Sequence, residues 1–152
     1  MKLLKSLIIT LGTGAIAGFA TASNIDGWYA SISKPGFNPP NWIFGPVWTI
    51  LYVLMGIALS MVLKQPSSLY KSNALWLFAI QLFLNFCWSF IFFYFHRIGF
   101  ALVEICTLWI FIVLTIISFS KLNKTAAWLM VPYICWVSFA VILNASIYSI
   151  NR

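Results

Sequence analysis

The sequence predicts an all-α membrane protein built as a single bundle of five transmembrane helices. Of its 152 residues, 62% are hydrophobic and only 7% are charged, whereas soluble domains carry about 25% charged residues. The mean hydropathy is +0.97. Because so few charges cannot cover a surface that faces water, we expect membrane lipid to surround the protein. We expect one domain over residues 1–152.

Five apolar segments are long enough to cross a bilayer core, which takes roughly 20 residues per helix. They are Leu3–Ala22, Trp42–Leu63, Ala74–Phe95, Gly99–Ser120 and Ala126–Ile150. None shows the two-residue alternation of a barrel strand, so helices are favoured. The last three connections are short, which predicts antiparallel neighbours in one bundle.

The first segment allows a second interpretation. Two lysines precede its apolar run, and Ala20–Ala22 resembles the cleavage site of a signal peptide. However, the uncharged stretch Ser6–Ile25 is long enough to span, so we favour a membrane helix. Its small residues allow close approach of another helix, either from this chain or from a second copy. These residues are Gly14, Gly18 and Ala22.

Charge predicts orientation and excludes a nucleic-acid partner. The net charge is +7, but the basic residues are scattered between apolar spans and form no stripe. Six lysines lie at the N-terminus and in the second and fourth loops: Lys2, Lys5, Lys64, Lys71, Lys121 and Lys124. The other side carries Lys34, Arg97 and Arg152. This asymmetry predicts a cytoplasmic N-terminus, with the first loop and the C-terminus outside the cell membrane.

The thiol and imidazole groups predict neither a metal site nor a catalytic triad. The three cysteines lie inside apolar segments without metal-ligand spacing, and we expect buried thiols. His96, the only histidine, lies in a loop and is expected at the membrane interface.

An aromatic face follows the long first loop. Four residues at helical spacing begin the second span: Phe44, Trp48, Tyr52 and Met55. The loop itself carries Lys34-Pro35-Gly36 and Pro39-Pro40. We therefore predict that the loop and this face form a site for a flat apolar ligand.

Polar residues of three other spans are predicted at a similar depth. Five residues of the third span lie at helical spacing and form one face: Gln81, Asn85, Trp88, Ser89 and Phe92. The fifth span carries Trp136, Ala140 and Asn144, and the fourth carries Glu104, the only acidic residue in any span. Polar groups in a membrane are costly and often functional. Two alternatives remain open: the asparagines serve only contacts between helices, and Glu104 is a protonated structural group.

These residues resemble the TspO/MBR family of tryptophan-rich sensory proteins and translocator proteins. The first loop and second span match through Trp28-Tyr29, Lys34-Pro35, Phe37, Pro39-Pro40, Phe44, Val47-Trp48-Thr49, Leu51-Tyr52 and Met55. The later spans match through Gln81-Leu82, Asn85, Trp88-Ser89, Phe92-Phe93, Ala101–Glu104, Pro132-Tyr133, Trp136, Phe139-Ala140 and Asn144. The resemblance covers nearly the whole chain after the first span.

The resemblance implies a homodimer of five-helix bundles with a pocket below the first loop. It implies porphyrin, sterol or drug-like planar ligands of the isoquinoline and benzodiazepine types, and no obligatory cofactor. Trp48 and Trp136 resemble tryptophans linked to light-dependent porphyrin breakdown. The expected ligand-binding residues are Tyr29, Pro39, Phe44, Trp48, Tyr52, Asn85, Trp88, Ser89, Cys106, Trp136, Ala140 and Asn144. Leu143, Tyr148 and Arg152 also fit a loose sterol-binding pattern, although interfacial anchors explain them as well.

Three functions remain open. The chain is a binding protein for tetrapyrroles and similar molecules, an enzyme that degrades bound porphyrin in light, or a transporter of tetrapyrroles or lipids. No inverted repeat is visible, which disfavours the transporter.

Overall fold

The computed structural model describes all 152 residues, and long helices form where the spans were predicted. The helices are α1 (Lys2–Ile25), α2 (Trp28–Ser31), α3 (Phe44–Leu63), α4 (Leu69–Ser89), α5 (Ile98–Ser120), α6 (Lys124–Leu129) and α7 (Val131–Asn151). Five helical stretches are long and apolar enough to cross a membrane. The predicted all-α fold with five transmembrane helices is confirmed.

The helices form a closed ring rather than a simple zigzag. Helix α1 packs against α3 and α4, α4 packs against α5, and α5 packs against α7. Helix α6 closes the ring by packing against α3. Side chains that meet in the middle are fully buried, among them Met55, Ile112 and Tyr133.

The two ends of the bundle differ in character. At one end, the ammonium groups of Lys2 and Lys71 each donate a hydrogen bond of 2.9 Å to the carbonyl of Leu63. These bonds join the start of α1, the end of α3 and the start of α4. We call this end the lysine end. We call the opposite end, where the first loop lies, the loop end.

Two features of the helices were not predicted. The fifth span is divided between α6 and α7 at Met130, and Pro132 lies in the first turn of α7, where a missing N–H costs little. Helix α4 continues into a π turn over Phe90–Tyr94. In the first loop, the short helix α2 and a 3₁₀ turn over Asn41–Ile43 add local structure.

Helices α1 and α3 approach each other closely at glycines. A Cβ on Gly14 would overlap the ring of Tyr52, and a Cβ on Gly56 would crowd Leu7 and Thr10. Gly14 therefore packs against a helix of the same chain, which is the first of the two alternatives stated for the small residues of this segment. By contrast, a Cβ on Gly18 would meet no atom within 4 Å.

The prediction of buried thiols is wrong for two of the three cysteines. Cys106 and Cys135 are exposed on the outside of the bundle, and Cys87 is half-buried. Lipid is as apolar as the interior of a bundle, so an apolar segment does not tell which of its residues face inward.

Candidate functional site

Aromatic rings from four parts of the chain meet at the loop end. They surround a small cavity, which we call the aromatic chamber. Its lining residues are Tyr29, Phe44, Trp48, Trp88, Phe92, Phe93, Trp136, Phe139, Ala140, Leu143, Asn144 and Ile147. The free volume is about 20 Å³, which is room for about one water molecule. The rings therefore fill most of the space that they enclose.

Helical spacing explains how α3 and α7 bring their rings to the chamber. Phe44 and Trp48 lie one turn apart on α3, and Trp136 and Ala140 lie one turn apart on α7. The ring of Phe44 meets the ring of Trp136 edge-on, with 6.2 Å between centroids. These two helices thus form two walls that meet at this ring contact.

The π turn at the end of α4 supplies a third wall. Phe92 and Phe93 are consecutive in sequence, yet both are buried, at 2% and 4% exposure. The ring of Phe92 stacks on the ring of Trp88 at 5.2 Å. Single π turns are often found at functional sites, and here the turn places an additional ring in the chamber.

Asn144 is the one amide in the chamber, and it is already engaged. The indole N–H of Trp88 donates to its Oδ1 at 3.0 Å, and its Nδ2 donates to the carbonyl of Ile98 at 3.1 Å. These bonds join α4, α5 and α7. The remaining lone pair on Oδ1 can accept a hydrogen bond from a ligand.

A buried polar network lies below the chamber, toward the lysine end. The hydroxyl of Tyr52 donates to Asn85 Oδ1 at 2.5 Å, and Asn85 Nδ2 donates to the hydroxyl of Tyr133 at 2.7 Å. Tyr133 in turn donates to Gln81 Oε1 at 2.8 Å. Trp48 rests on this network, since its ring centroid is 5.7 Å from that of Tyr52 and 6.3 Å from that of Tyr133. The network therefore supports the chamber from below.

The first loop closes the chamber from above. The hydroxyl of Tyr29 donates to Asn38 Oδ1 at 2.6 Å, while the ammonium group of Lys34 donates to the carbonyls of Tyr29 and Ile32. Burial raises the pKa of Tyr29 to about 12, although the hydrogen bond to Asn38 acts in the opposite direction. Tyr29 therefore stays neutral at physiological pH. Because Lys34 is occupied within the loop, it does not reach into the chamber.

Two contacts fasten the loop to the rest of the bundle. Ser33 and Asn151 exchange two hydrogen bonds of 3.0 and 2.7 Å between backbone and side-chain amide. The indole of Trp28 stacks on the imidazole of His96 at 4.2 Å. His96 is thus a contact for the first loop.

A second and larger cavity lies between α1 and α3, and we call it the α1–α3 cavity. Its volume is about 440 Å³, within the range of roughly 300–1,000 Å³ that is usual for ligand pockets. Phe44 and Trp48 line both cavities, whereas Tyr52 and Ser89 line only the second.

The comparisons with known proteins agree with these features. Residues 6–149 match the TspO/MBR family. The chain belongs to the TspO/MBR family. It is 44% identical to the tryptophan-rich protein TspO of Chlorobaculum tepidum, with 99% of this chain and 98% of the relative covered.

More distant members of the TspO/MBR family also align. The tryptophan-rich sensory protein of Cereibacter sphaeroides is 36% identical, with 91% of this chain and 85% of the relative covered. The translocator protein of Homo sapiens is 34% identical, with 82% of this chain and 78% of the relative covered. The chain is therefore a multi-pass membrane protein of the TspO/MBR type.

Most of the residues expected from the TspO/MBR resemblance lie at one of the two cavities. The chamber is lined by Tyr29, Phe44, Trp48, Trp88, Trp136, Ala140 and Asn144, and the α1–α3 cavity by Phe44, Trp48, Tyr52 and Ser89. Asn85 is buried behind Tyr52 and lines neither. This position agrees with the alternative stated above for the asparagines, in which they serve only contacts between helices. Pro39 also lies outside both linings.

The prediction that Cys106 lies at the site is wrong, and the structure assigns no role to Glu104. Helix α5 turns Ile105 and Leu108 inward, at 1% exposure each, so Cys106 between them faces outward and is removed from the site. Glu104 lines neither cavity, and both of its buried carboxyl oxygens lack a hydrogen-bond partner. The structure gives no partner that explains this carboxyl group.

Sequence reasoning missed several apolar lining residues. Phe139, Leu143 and Ile147 of α7 complete the wall that Trp136 begins. Positions 136, 140, 143, 144 and 147 follow one helix face, so the periodicity contained this signal. Phe93 could not be found in this way, because its inward position depends on the π turn.

Proposed function

We propose that the chain is a membrane receptor that binds planar aromatic molecules in the aromatic chamber. The proposed ligands are porphyrins, such as protoporphyrin IX and haem-related tetrapyrroles, and drugs of the isoquinoline carboxamide and benzodiazepine types. The observation that carries the proposal is the convergence of rings from α2, α3, α4 and α7 on one site. Ring faces and edges of this kind stabilise a flat apolar ligand by burial and stacking.

The small free volume sets a condition on binding. A tetrapyrrole does not fit into about 20 Å³, so some rings must move when it binds. Phe44 and Trp48 lie between the chamber and the larger α1–α3 cavity, and a shift of these two side chains toward that cavity would enlarge the chamber. Ligand binding is therefore proposed to involve an outward movement of this shared wall.

Light-dependent degradation of bound porphyrin is the second part of the proposal. Trp48 and Trp136 both line the chamber, so a bound porphyrin would lie close to two indoles. An indole held against an excited porphyrin can donate one electron to it, which leaves an indole radical cation and a porphyrin radical anion. Breakdown of the porphyrin ring would then consume dissolved dioxygen as the oxidant. Trp48 also lies beside the hydroxyl-bearing rings of Tyr52 and Tyr133, which extend the path for such a transfer.

The proposal also includes a location. The chain is proposed to lie in the cell membrane with the lysine end in the cytoplasm and the loop end outside, because Lys2 and Lys71 are among six lysines expected on one side. Assembly as a homodimer stays a prediction of the family resemblance.

Titration with protoporphyrin IX in the dark tests the binding proposal. Saturable binding by the parental protein is expected, and Trp48→Ala should weaken it by about 1–3 kcal/mol, the scale for burial of a large apolar side chain. Trp76→Ala is the matched control, because Trp76 is 68% exposed on the outside of α4. Equal losses in both variants, or no saturable binding by the parental protein, would reject the proposed site.

A further inference from the structure

The α1–α3 cavity opens on the side of the bundle. Several of its lining residues are exposed, among them Gly18 and Ala22 of α1 and Gly45 and Thr49 of α3. All four lie in stretches that are long and apolar enough to cross a membrane. At these positions we expect the opening to face lipid, although its lining also reaches the exposed Asn41 at the loop end.

Close packing at the lysine end creates this opening at the loop end. Helices α1 and α3 run antiparallel and touch where Gly56 meets Leu7 and where Gly14 meets the ring of Tyr52. Beyond Gly14 the facing side chains no longer fill the gap, since Gly18 has open space beside it. The contact of Gly14 with Tyr52 thus forms the floor of the cavity.

Only a thin aromatic wall separates this cavity from the aromatic chamber. Phe44 and Trp48 line both spaces, and both side chains are half-buried. Each belongs to the first turns of α3, where the helix follows the 3₁₀ turn Asn41–Ile43. A rotation of these two side chains would connect lipid to chamber without any movement of the first loop.

The alternative route, through the first loop, is fastened at several points. Tyr29 is 1% exposed and bonded to Asn38, and Ser33 exchanges two hydrogen bonds with Asn151. To open this route, these bonds and the burial of Tyr29 would have to be lost together. The side route requires only changes in side-chain rotamers, which are faster than movements of loops.

We propose that the α1–α3 cavity is a lateral passage through which a planar apolar ligand dissolved in the bilayer reaches the aromatic chamber, with Phe44 and Trp48 as its gate. The passage rests on the proposed binding function, because it serves the same chamber. It assigns the source of the ligand to the membrane interior. Apolar rings concentrate there because lipid removes their surface from water.

Substitution of Gly18 tests the passage with a matched control on the same helix. Gly18→Leu places a branched side chain in the cavity, whereas Gly12→Leu adds the same volume on α1 outside it; neither Cβ would meet an atom within 4 Å. Ala22→Leu narrows the same cavity as a second variant. The probe is protoporphyrin IX supplied in phosphatidylcholine vesicles, with stopped-flow quenching of tryptophan fluorescence as the readout.

The expected result is a change in rates without a matching change in affinity. Gly18→Leu and Ala22→Leu should slow both association and dissociation by about tenfold, within the range that association rates span among variants of one site. Gly12→Leu should match the parental protein. Asn151→Ala, which loosens the first loop, should leave both rates unchanged.

Four results would overturn the passage. Parental rates in Gly18→Leu and Ala22→Leu, or faster rates in Asn151→Ala, would show that ligand passes through the first loop. Faster dissociation with lost affinity in Gly18→Leu would show that the cavity is part of the bound position. If the parental protein binds no porphyrin, the proposed function and the passage are both rejected, whereas saturable binding with parental rates in all variants rejects the passage alone.

Discussion

Asn85 holds together the polar network below the chamber. It accepts a hydrogen bond from Tyr52 and donates one to Tyr133, so it joins α3, α4 and α7. Replacement by leucine keeps the volume but leaves the Tyr52 hydroxyl buried without a partner. We expect Asn85→Leu to lower the free energy of unfolding by about 1–3 kcal/mol, the cost of an unsatisfied buried group.

Thermal unfolding in detergent measures this effect. Ser138→Ala is the control, because the Ser138 hydroxyl lies outside this network: it accepts a hydrogen bond from the exposed indole of Trp109 and donates one to the carbonyl of Ile134. A midpoint for Asn85→Leu as high as that of Ser138→Ala would mean that the network does not stabilise the bundle.

Trp48 and Trp136 allow binding to be separated from photochemistry. Phenylalanine keeps most of the apolar wall but is much harder to oxidise than indole. We therefore expect Trp48→Phe and Trp136→Phe to slow the loss of porphyrin absorbance under light more than they weaken binding in the dark. Trp76→Phe on the outside of α4 should change neither. If both chamber variants degrade porphyrin at the parental rate, the two tryptophans only line the chamber and take no part in the photochemistry.

Among the structural elements, the first loop is attached to the end of α7 by a pair of hydrogen bonds. Ser33 donates its backbone N–H to Asn151 Oδ1 and accepts from Asn151 Nδ2, and α7 offers no second such pair. Asn151→Ala should therefore speed hydrogen exchange of the Ser33 amide and of its neighbours in residues 28–40. Exchange in the middle of α3 and α5 should stay unchanged, because their bonds lie within the helices.

Ser149→Ala is the matched control for the loop, since Ser149 is exposed on the same helix. Mass spectrometry of exchanged peptides gives the readout. If the loop peptide in Asn151→Ala exchanges at the rate found for Ser149→Ala, this pair does not fasten the loop.

At the scale of the whole molecule, the lysine asymmetry predicts orientation. In a background where the three natural cysteines are replaced by alanine, Ser31→Cys should react with a membrane-impermeant maleimide in intact cells. Ser67→Cys, in the loop at the lysine end, should react only after permeabilisation. Both positions are exposed. The reverse pattern would place the N-terminus outside.

The sequence predicted the helices better than the roles of individual residues. Composition and span length are enough for the five-helix fold, since only helices or closed barrels satisfy the backbone in lipid. Asn85 and Asn144 looked equivalent, because both are amides on an aromatic face. Their separation, one behind Tyr52 and one in the chamber, depends on how far each helix is rotated in the ring.

Two other features of the structure could not be predicted from the sequence, one because of the membrane and one because of the first loop. Cys106 was expected at the site. Lipid is as apolar as the interior of the bundle, so hydropathy does not indicate which side of a helix faces inward. The attachment of Ser33 to Asn151 spans 118 positions in sequence. No local pattern indicates such a contact.

Photoaffinity labelling tests the central claim, ligand binding in the aromatic chamber, most directly. An isoquinoline carboxamide that carries a diazirine is bound in the dark, activated briefly, and located on the chain by peptide mass spectrometry. We expect adducts near Trp48 on α3 and between Trp136 and Ile147 on α7, and we expect unlabelled protoporphyrin IX to prevent them. Adducts confined to outward-facing residues such as Phe83 and Ile110, or adducts that protoporphyrin IX does not reduce, would contradict it.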